Sequence, residues 1–293
     1  MRAKKRFGQH FLSDINILTR IVDAAEIAPG ETVLEVGPGL GALTAVLAEH
    51  AGRVVAVEVD RDLIDGLRVR FADAVNVTIV EGDMMEMSAA DALAFTTEAQ
   101  SQRGSMEGER PYVVVANLPY NIAAPVLRRF LEADVPPRRL VVMVQLEVAE
   151  SITSESPRMS LLGVATQVYG DTRMIMKVAP GAFSPPPKVD SAVVRIDVAT
   201  SPKVDVPIEA FFRIVRAGFG NPRKQLRNSL SFGLHVKQEV IDQVMSDAGV
   251  DVTLRPQVLS LDDWASITRA WDRWMEAGGG TREAGIADEG RGA

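Results

Sequence analysis

Cysteine is absent from the 293 residues and histidine occurs three times. The first absence excludes disulfides and thiolate chemistry. His10, His50 and His235 are too scattered along the chain to suggest a zinc site, so no metal is expected. No apolar run approaches the about 18 residues a membrane helix needs, and the basic amino terminus lacks the apolar stretch of a signal peptide. A cytoplasmic protein with no membrane partner is expected. With 46% hydrophobic residues the chain can bury a full core, and its length allows one large domain and a smaller one.

The net charge of -7 argues weakly against a nucleic-acid partner, because screening over roughly 8–10 Å makes a phosphate feel the local patch. Residues 1–10 hold Arg2, Lys4, Lys5 and Arg6 with no acid, and residues 213–228 hold Arg213, Arg216, Arg223, Lys224 and Arg227, again with no acid. Two basic patches therefore sit on an acidic chain. Arg223 and Arg227 are four apart and are expected to share one helix face.

After Ser13, the expected N-cap, Ile15, Leu18, Val22 and Ala25 recur at helical spacing. The β-branched runs TVLEV (32–36), RVVAVEV (53–59), NVTIV (76–80), YVVVA (112–116) and RLVVMV (139–144) then alternate with helical stretches. This predicts an α/β fold with a Rossmann-like, doubly wound, mainly parallel sheet. Apolar segments near 164–178 and 191–198 have no long helix between them and predict an antiparallel hairpin at the sheet edge. Residues 98–110 read as an inserted polar loop. Beyond Thr200 helical patterns follow at about 207–219, 223–231, 237–248 and 262–276. The predicted organisation is a basic arm over 1–12, an α/β domain over 13–200, a helical domain over 201–277 and a disordered tail over 278–293. Trp264, Trp271 and Trp274 lie at helical spacing and read as core.

The first strand runs into Gly37-Pro38-Gly39-Leu40-Gly41, at the strand end where doubly wound folds bind ligands. Such loops also hold nicotinamide or flavin dinucleotides, or are simply tight turns. Glu58 ends the next strand, 19 positions after Gly39, where a carboxylate can accept both ribose hydroxyls, and Asp83 follows the third strand, where it can accept from an adenine amino group. Together they describe a pocket for an adenosine-bearing cofactor. The fourth strand ends in Asn117-Leu118-Pro119-Tyr120. An adenine amino group is a poor nucleophile because its lone pair is delocalised into the ring. The amide oxygen of Asn117 and the carbonyl of Leu118, accepting its two protons, would favour a pyramidal nitrogen, with Pro119 fixing the turn. Tyr120 and Phe183 would stack on an extruded base, each stack contributing about 1–3 kcal/mol.

The segments KRFGQHFL (5–12), EVGPGLGALT (35–44), NLPY (117–120), FSPPPKVDSAVVR (183–195) and RKQLRNSL (223–230) resemble the ribosomal RNA adenine N6-dimethyltransferases that act on the small subunit. The similarity covers about residues 4 to 275. It implies an S-adenosyl-L-methionine pocket lined by His10, Leu12, Gly37, Glu58, Asp83 and Asn117, and two adjacent adenosines in a small-subunit rRNA hairpin that each receive two methyl groups. The glycines Gly39 and Gly41 complete the cofactor loop, and Lys188 joins Arg2, Lys4, Lys5, Arg6, Arg223, Lys224 and Arg227 as expected RNA contacts. The expected partner is the small ribosomal subunit or its rRNA, met by a monomeric enzyme with a role in ribosome biogenesis. His10 stands where many relatives have asparagine. The macrolide-resistance type that acts on large-subunit RNA shares NLPY but fits the later motifs less well. DNA adenine methyltransferases carry Asp-Pro-Pro-Tyr or Asn-Pro-Pro-Tyr, which Leu118 contradicts. A non-catalytic ribosome-assembly factor would not need the intact set of site residues.

Overall fold

The computed structural model describes residues 10–95, 112–120 and 122–278. The arm cations Arg2, Lys4, Lys5 and Arg6, the 98–110 loop and nearly all of the 278–293 tail lie outside them. The chain forms two compact units, one comprising the residues up to Thr153 together with Tyr169–Thr200, the other Ser154–Val168 together with the residues from Ser201.

In the first unit a short strand β1 (Phe11–Leu12) precedes α1 (Ile15–Ala25), followed by β2 (Thr32–Val36), α2 (Ala42–His50), β3 (Arg53–Glu58), α3 (Arg61–Arg70), β4 (Val77–Glu81) and α4 (Ala89–Ala94). Next come β5 (Tyr112–Asn117), α5 (Ala123–Leu131), β6 (Arg139–Gln145) and α6 (Leu146–Ile152). The unit closes with β7 (Gly170–Val178), the short β8 (Phe183–Ser184) and β9 (Ser191–Val198). Seven strands form one sheet in the order β4-β3-β2-β5-β6-β9-β7. The first five are parallel, whereas β9 runs antiparallel to β6 and β7 antiparallel to β9. The expected Rossmann-like sheet with an antiparallel edge is what the chain forms. Its central strands are buried on both faces, which is why Val54–Val57, Val113–Ala116 and Leu140–Val144 are continuous apolar runs with no alternation.

Two local expectations need correction. Helix α1 is capped by Asp14 and not Ser13: the Asp14 carboxylate accepts from the amides of Asn16 and Ile17, which the helix start leaves without partners. Its buried stripe is Leu18, Ile21, Val22 and Ala25, while Ile15 is exposed. The strand expected over 164–178 begins only at Gly170; before it, α7 (Leu161–Gln167) forms, with the Ser160 hydroxyl accepting from Gly163 N at 2.8 Å. Val164 and Val168 are β-branched and read locally as strand, but the cap and the burial of Gly163, Val164 and Thr166 override that preference.

Among its described residues the second unit contains α7 and four further α-helices, α8 (Ile208–Phe219), α9 (Leu226–Leu234), α10 (Gln238–Ala248) and α11 (Leu261–Glu276). Trp264 and Trp271 are buried, as their spacing predicts, whereas Trp274 is only half-buried. A side chain at Gly218 would meet the Trp264 ring at 2.4 Å, so glycine there lets α8 approach α11. No described helix is long and apolar enough to cross a membrane.

Candidate active site

The carboxyl ends of β2, β3, β4 and β5 surround a cavity of about 390 Å³, a size common for small-molecule sites. Gly37, Gly39 and Gly41 all have positive φ, the region glycine enters at little cost. A Cβ at Gly41 would lie 2.7 Å from the Phe71 ring, so this glycine closes the turn into α2 and does not itself line the cavity. Gly37 and Gly39 do.

Glu58, 4% exposed, links the second strand end to this loop: one carboxylate oxygen accepts from Gly39 N at 3.1 Å and the other from Asp60 N at 2.9 Å. Burial raises its pKa above the ordinary carboxylate range, and the two backbone donors oppose the rise. Asp83 lines the cavity with Oδ1 accepting from Met85 N at 2.8 Å. Leu12 lies on the strand β1 that pairs with β8.

Asn117 ends β5 and lines the same cavity with Leu118, Pro119 and Tyr120. Its Nδ2 donates to the His10 carbonyl at 3.2 Å, which orients the amide and leaves Oδ1 without a partner among the described residues. The His10 ring lies nearly parallel to Tyr120, with centroids 5.7 Å apart and planes 24° apart, and His10 Nδ1 is 2.8 Å from the Pro185 carbonyl. Tyr120 is fixed at its hydroxyl, 2.9 Å from Ser191 Oγ.

Sequence reasoning missed Glu35. It is 1% exposed within β2 and lines the cavity, and its Oε2 is buried without a hydrogen-bond partner. Burial pushes its carboxyl up to about 8; the nearby Thr44 hydroxyl opposes the rise and the charge of Glu58 adds to it. In TVLEV it looked like any interruption of an apolar strand; the only available signal was a carboxylate where a strand buried on both faces should be apolar.

Several expectations are not met. Phe183 is 6% exposed, packed in the core with Leu12, Val178 and Val193, and does not line the cavity, so as placed it cannot stack on a base there. Arg223 lies before α9, which starts at Leu226, so Arg223 and Arg227 do not share a helix face. Arg227 is held by both oxygens of Asp242. Arg213 is 3.6 Å from Asp272, so the acid-free stretch of sequence is partly neutralised in space. Lys188, Arg223 and Lys224 are exposed, with no ion pair among the described residues. Nor do those residues contain a cluster able to hold a metal.

A family model for "Ribosomal RNA adenine dimethylase" matches residues 1–271. The chain is similar to the "Ribosomal RNA small subunit methyltransferase A" of Dehalococcoides mccartyi (strain CBDB1), with 41% identity over 268 residues, 91% of this chain and 88% of that one. It is likewise 41% identical over 273 residues to the protein of that name from Geobacter sulfurreducens, covering 92% and 95% of the two chains. Among solved structures, the 23S rRNA methyltransferase ErmE superposes with a TM-score of 0.68 at 27% identity, covering 89% of this chain and 99% of that one. A dimethyladenosine transferase from Plasmodium falciparum gives a TM-score of 0.73 at 22% identity, covering 90% and 98%, a likeness of fold.

Proposed function

The chain belongs to the ribosomal RNA adenine dimethylase family, and from that premise we propose that it transfers methyl groups from S-adenosylmethionine to N6 of two adjacent adenosines in a small-subunit rRNA hairpin. The observation that carries this reading is the convergence of Asn117, Glu58, Asp83 and the glycine loop on one cavity.

The residues present fit a cationic adenosine cofactor. Glu35 lines the cavity with a buried carboxyl group that forms no ion pair among the described residues, a group that gains by meeting positive charge. Glu58 would hold the ribose hydroxyls with its remaining lone pairs, and Asp83 the adenine amino group. Leu12 and the backbone of Gly37 and Gly39 would line the remainder of that site. The cofactor supplies an electrophilic methyl on sulfur. On the acceptor side, Asn117 Oδ1 and the Leu118 carbonyl would each accept one N6 proton and direct the nitrogen lone pair at that methyl. The methylated ammonium loses its surplus proton to water, so no strong base is needed. Tyr120 offers the face for the target base, and the His10 ring, not Phe183, is the aromatic surface beside it.

In this reading the sheet unit carries the chemistry while exposed cations, among them Lys188, Arg223 and Lys224, grip phosphate, and the enzyme works as a cytoplasmic monomer. The test is incubation of unmethylated small and large subunits with labelled S-adenosylmethionine, followed by nucleoside mass spectrometry. Dimethyladenosine from the small subunit alone is expected. Label in the large subunit would favour the ErmE-like reading, and a product other than N6-methylated adenosine would overturn both.

A further inference from the structure

In the second unit α9 packs one face on its neighbours: Leu226, Ser229 and Leu230 are buried, and a side chain at Gly233 would meet Ala217 of α8 at 2.7 Å. The opposite face is exposed, with one bond across it, Gln238 Nε2 donating to Asn228 Oδ1 at 2.9 Å. Gln225, Asn228, Phe232 and His235 follow at spacings of three, four and three, and all are exposed. Phe232 is the outlier at 72% exposed, in a unit whose other large aromatics are buried or half-buried. Leaving a phenylalanine in water forgoes the stabilisation its burial would give, which suits a surface that is covered by a partner.

His235 is a second, independent anomaly. It closes α9 with φ +57, the left-handed conformation in which glycine is strongly favoured at this position. The turn around it is secured by Val236 N donating to Ser231 O at 3.1 Å and Ser231 Oγ donating to Val236 O at 2.6 Å. A conformational cost is thus borne at a residue whose imidazole is one helical turn from Phe232 and exposed.

The charge beside these rings selects the partner. Arg223 and Lys224 precede the helix, and Lys237 follows His235, all exposed and without ion pairs among the described residues. Of the acids on α10, Asp242 is bound to Arg227 and Glu239 adds to the field on the same arginine. Exposed rings bordered by unpaired cations suit unpaired nucleic acid, in which bases stack on aromatics and phosphates meet cations; an apolar protein surface would not call for the cations.

We infer that Phe232 and His235 form a stacking platform for an unpaired rRNA base, flanked by phosphate contacts at Arg223, Lys224 and Lys237. The inference rests on the proposed rRNA reading and adds a recognition site separate from the methyl-transfer cavity. Filter binding of protein-free small-subunit rRNA to the full-length protein tests it. Phe232→Ala should weaken binding about 5- to 150-fold, the fold-change that corresponds to one base–aromatic stack. Phe232→Trp should retain affinity and Phe232→Leu should not, because leucine keeps the apolar bulk without the ring. His235→Gly removes the imidazole from a backbone that glycine tolerates, so it should weaken binding without lowering the thermal midpoint. Wild-type affinity for Phe232→Leu, or losses seen only with protein-containing subunits, would overturn the inference in favour of an apolar protein contact. Failure of the methylation reading is seen separately: at saturating subunit the Phe232→Ala product is still dimethyladenosine if that reading holds, whatever the binding data show.

Discussion

At the end of the sheet where β6 begins, Glu26 and Asp197 face Arg139 and Arg195; at the other end, where β2 and β3 finish, the charge of Glu58 disfavours that of Glu35 and neither acid forms an ion pair among the described residues. In the first group the partners are satisfied. Arg195 donates to Asp197 at 2.8 Å and lies 2.6 Å from Glu26, and Arg139 lies 2.5 Å from Asp197. The Arg195 hydrogen bond, helped by Arg139, draws the Glu26 carboxyl down to about 2. For Asp197 burial acts upward, but the bonds from Arg195 and Arg139 prevail and its pKa falls. In the second group burial dominates and both pKa values rise. Side chains of one chemical type thus serve stability where arginines pair them, and in the proposed reading serve binding where burial leaves them without a cation.

The comparison breaks most visibly if the paired end is disrupted. Arg195→Met should take from Glu26 and Asp197 one of their two arginine partners, Arg139 remaining, and lower the stability of the fold because the lost guanidinium is itself buried. A scanning calorimeter should record a midpoint lowered by a few degrees, at about 2–4 °C for each kcal/mol lost, with cofactor affinity nearly unchanged. Equal loss of cofactor binding would show that the two ends are not separate in role.

The unpaired end makes a subtler prediction. Glu35 has a folded pKa near 8, above its ordinary 4.5, so its contribution to stability is complete below about pH 4.5 and is lost as pH rises through 8. Glu26 and Asp197, with lowered values, act in the opposite sense, losing their contribution as pH falls. Without cofactor, Glu35→Gln should therefore match the parent's thermal midpoint near pH 4.5 and exceed it increasingly up to pH 8. A difference that stays constant over that range would mean that Glu35 is already ionised and paired.

The smallest effect concerns the cations. Replacing Arg223 and Lys224 together by alanine should lower the slope of log affinity for rRNA against log salt by about 1–2, whereas Arg227→Ala, already neutralised by Asp242, should change it less. Equal slope changes would remove the distinction between paired and unpaired charge.

What could be read from the sequence follows the same division. The sheet, its parallel core and the cavity residues Gly37, Glu58, Asp83 and Asn117 were legible because each sits at the end of a strand whose apolar run marks it. Glu35 was not, since its significance lies in the missing partner, which is a fact of three dimensions. Arg139, Arg195, Glu26 and Asp197 come from three distant segments and carry no local pattern. Phe183 lies within a motif that suggested stacking, yet β8 pairs with β1 and turns that ring into the core. The helix expected to unite Arg223 and Arg227 starts three residues after Arg223, because the stretch before it forms a turn in which Lys224 N donates to Asn221 O.

The central claim is that Asn117, oriented by the His10 carbonyl, localises the lone pair of the target amine. Single-turnover methyl transfer by Asn117→Ala, measured beside calorimetric titration of S-adenosylmethionine, tests it most directly. The account predicts a rate lowered by about 10²–10³-fold, the usual loss for one oriented catalytic hydrogen bond, with cofactor affinity within a few-fold of the parent. A variant that transfers methyl groups at the parental rate would contradict it.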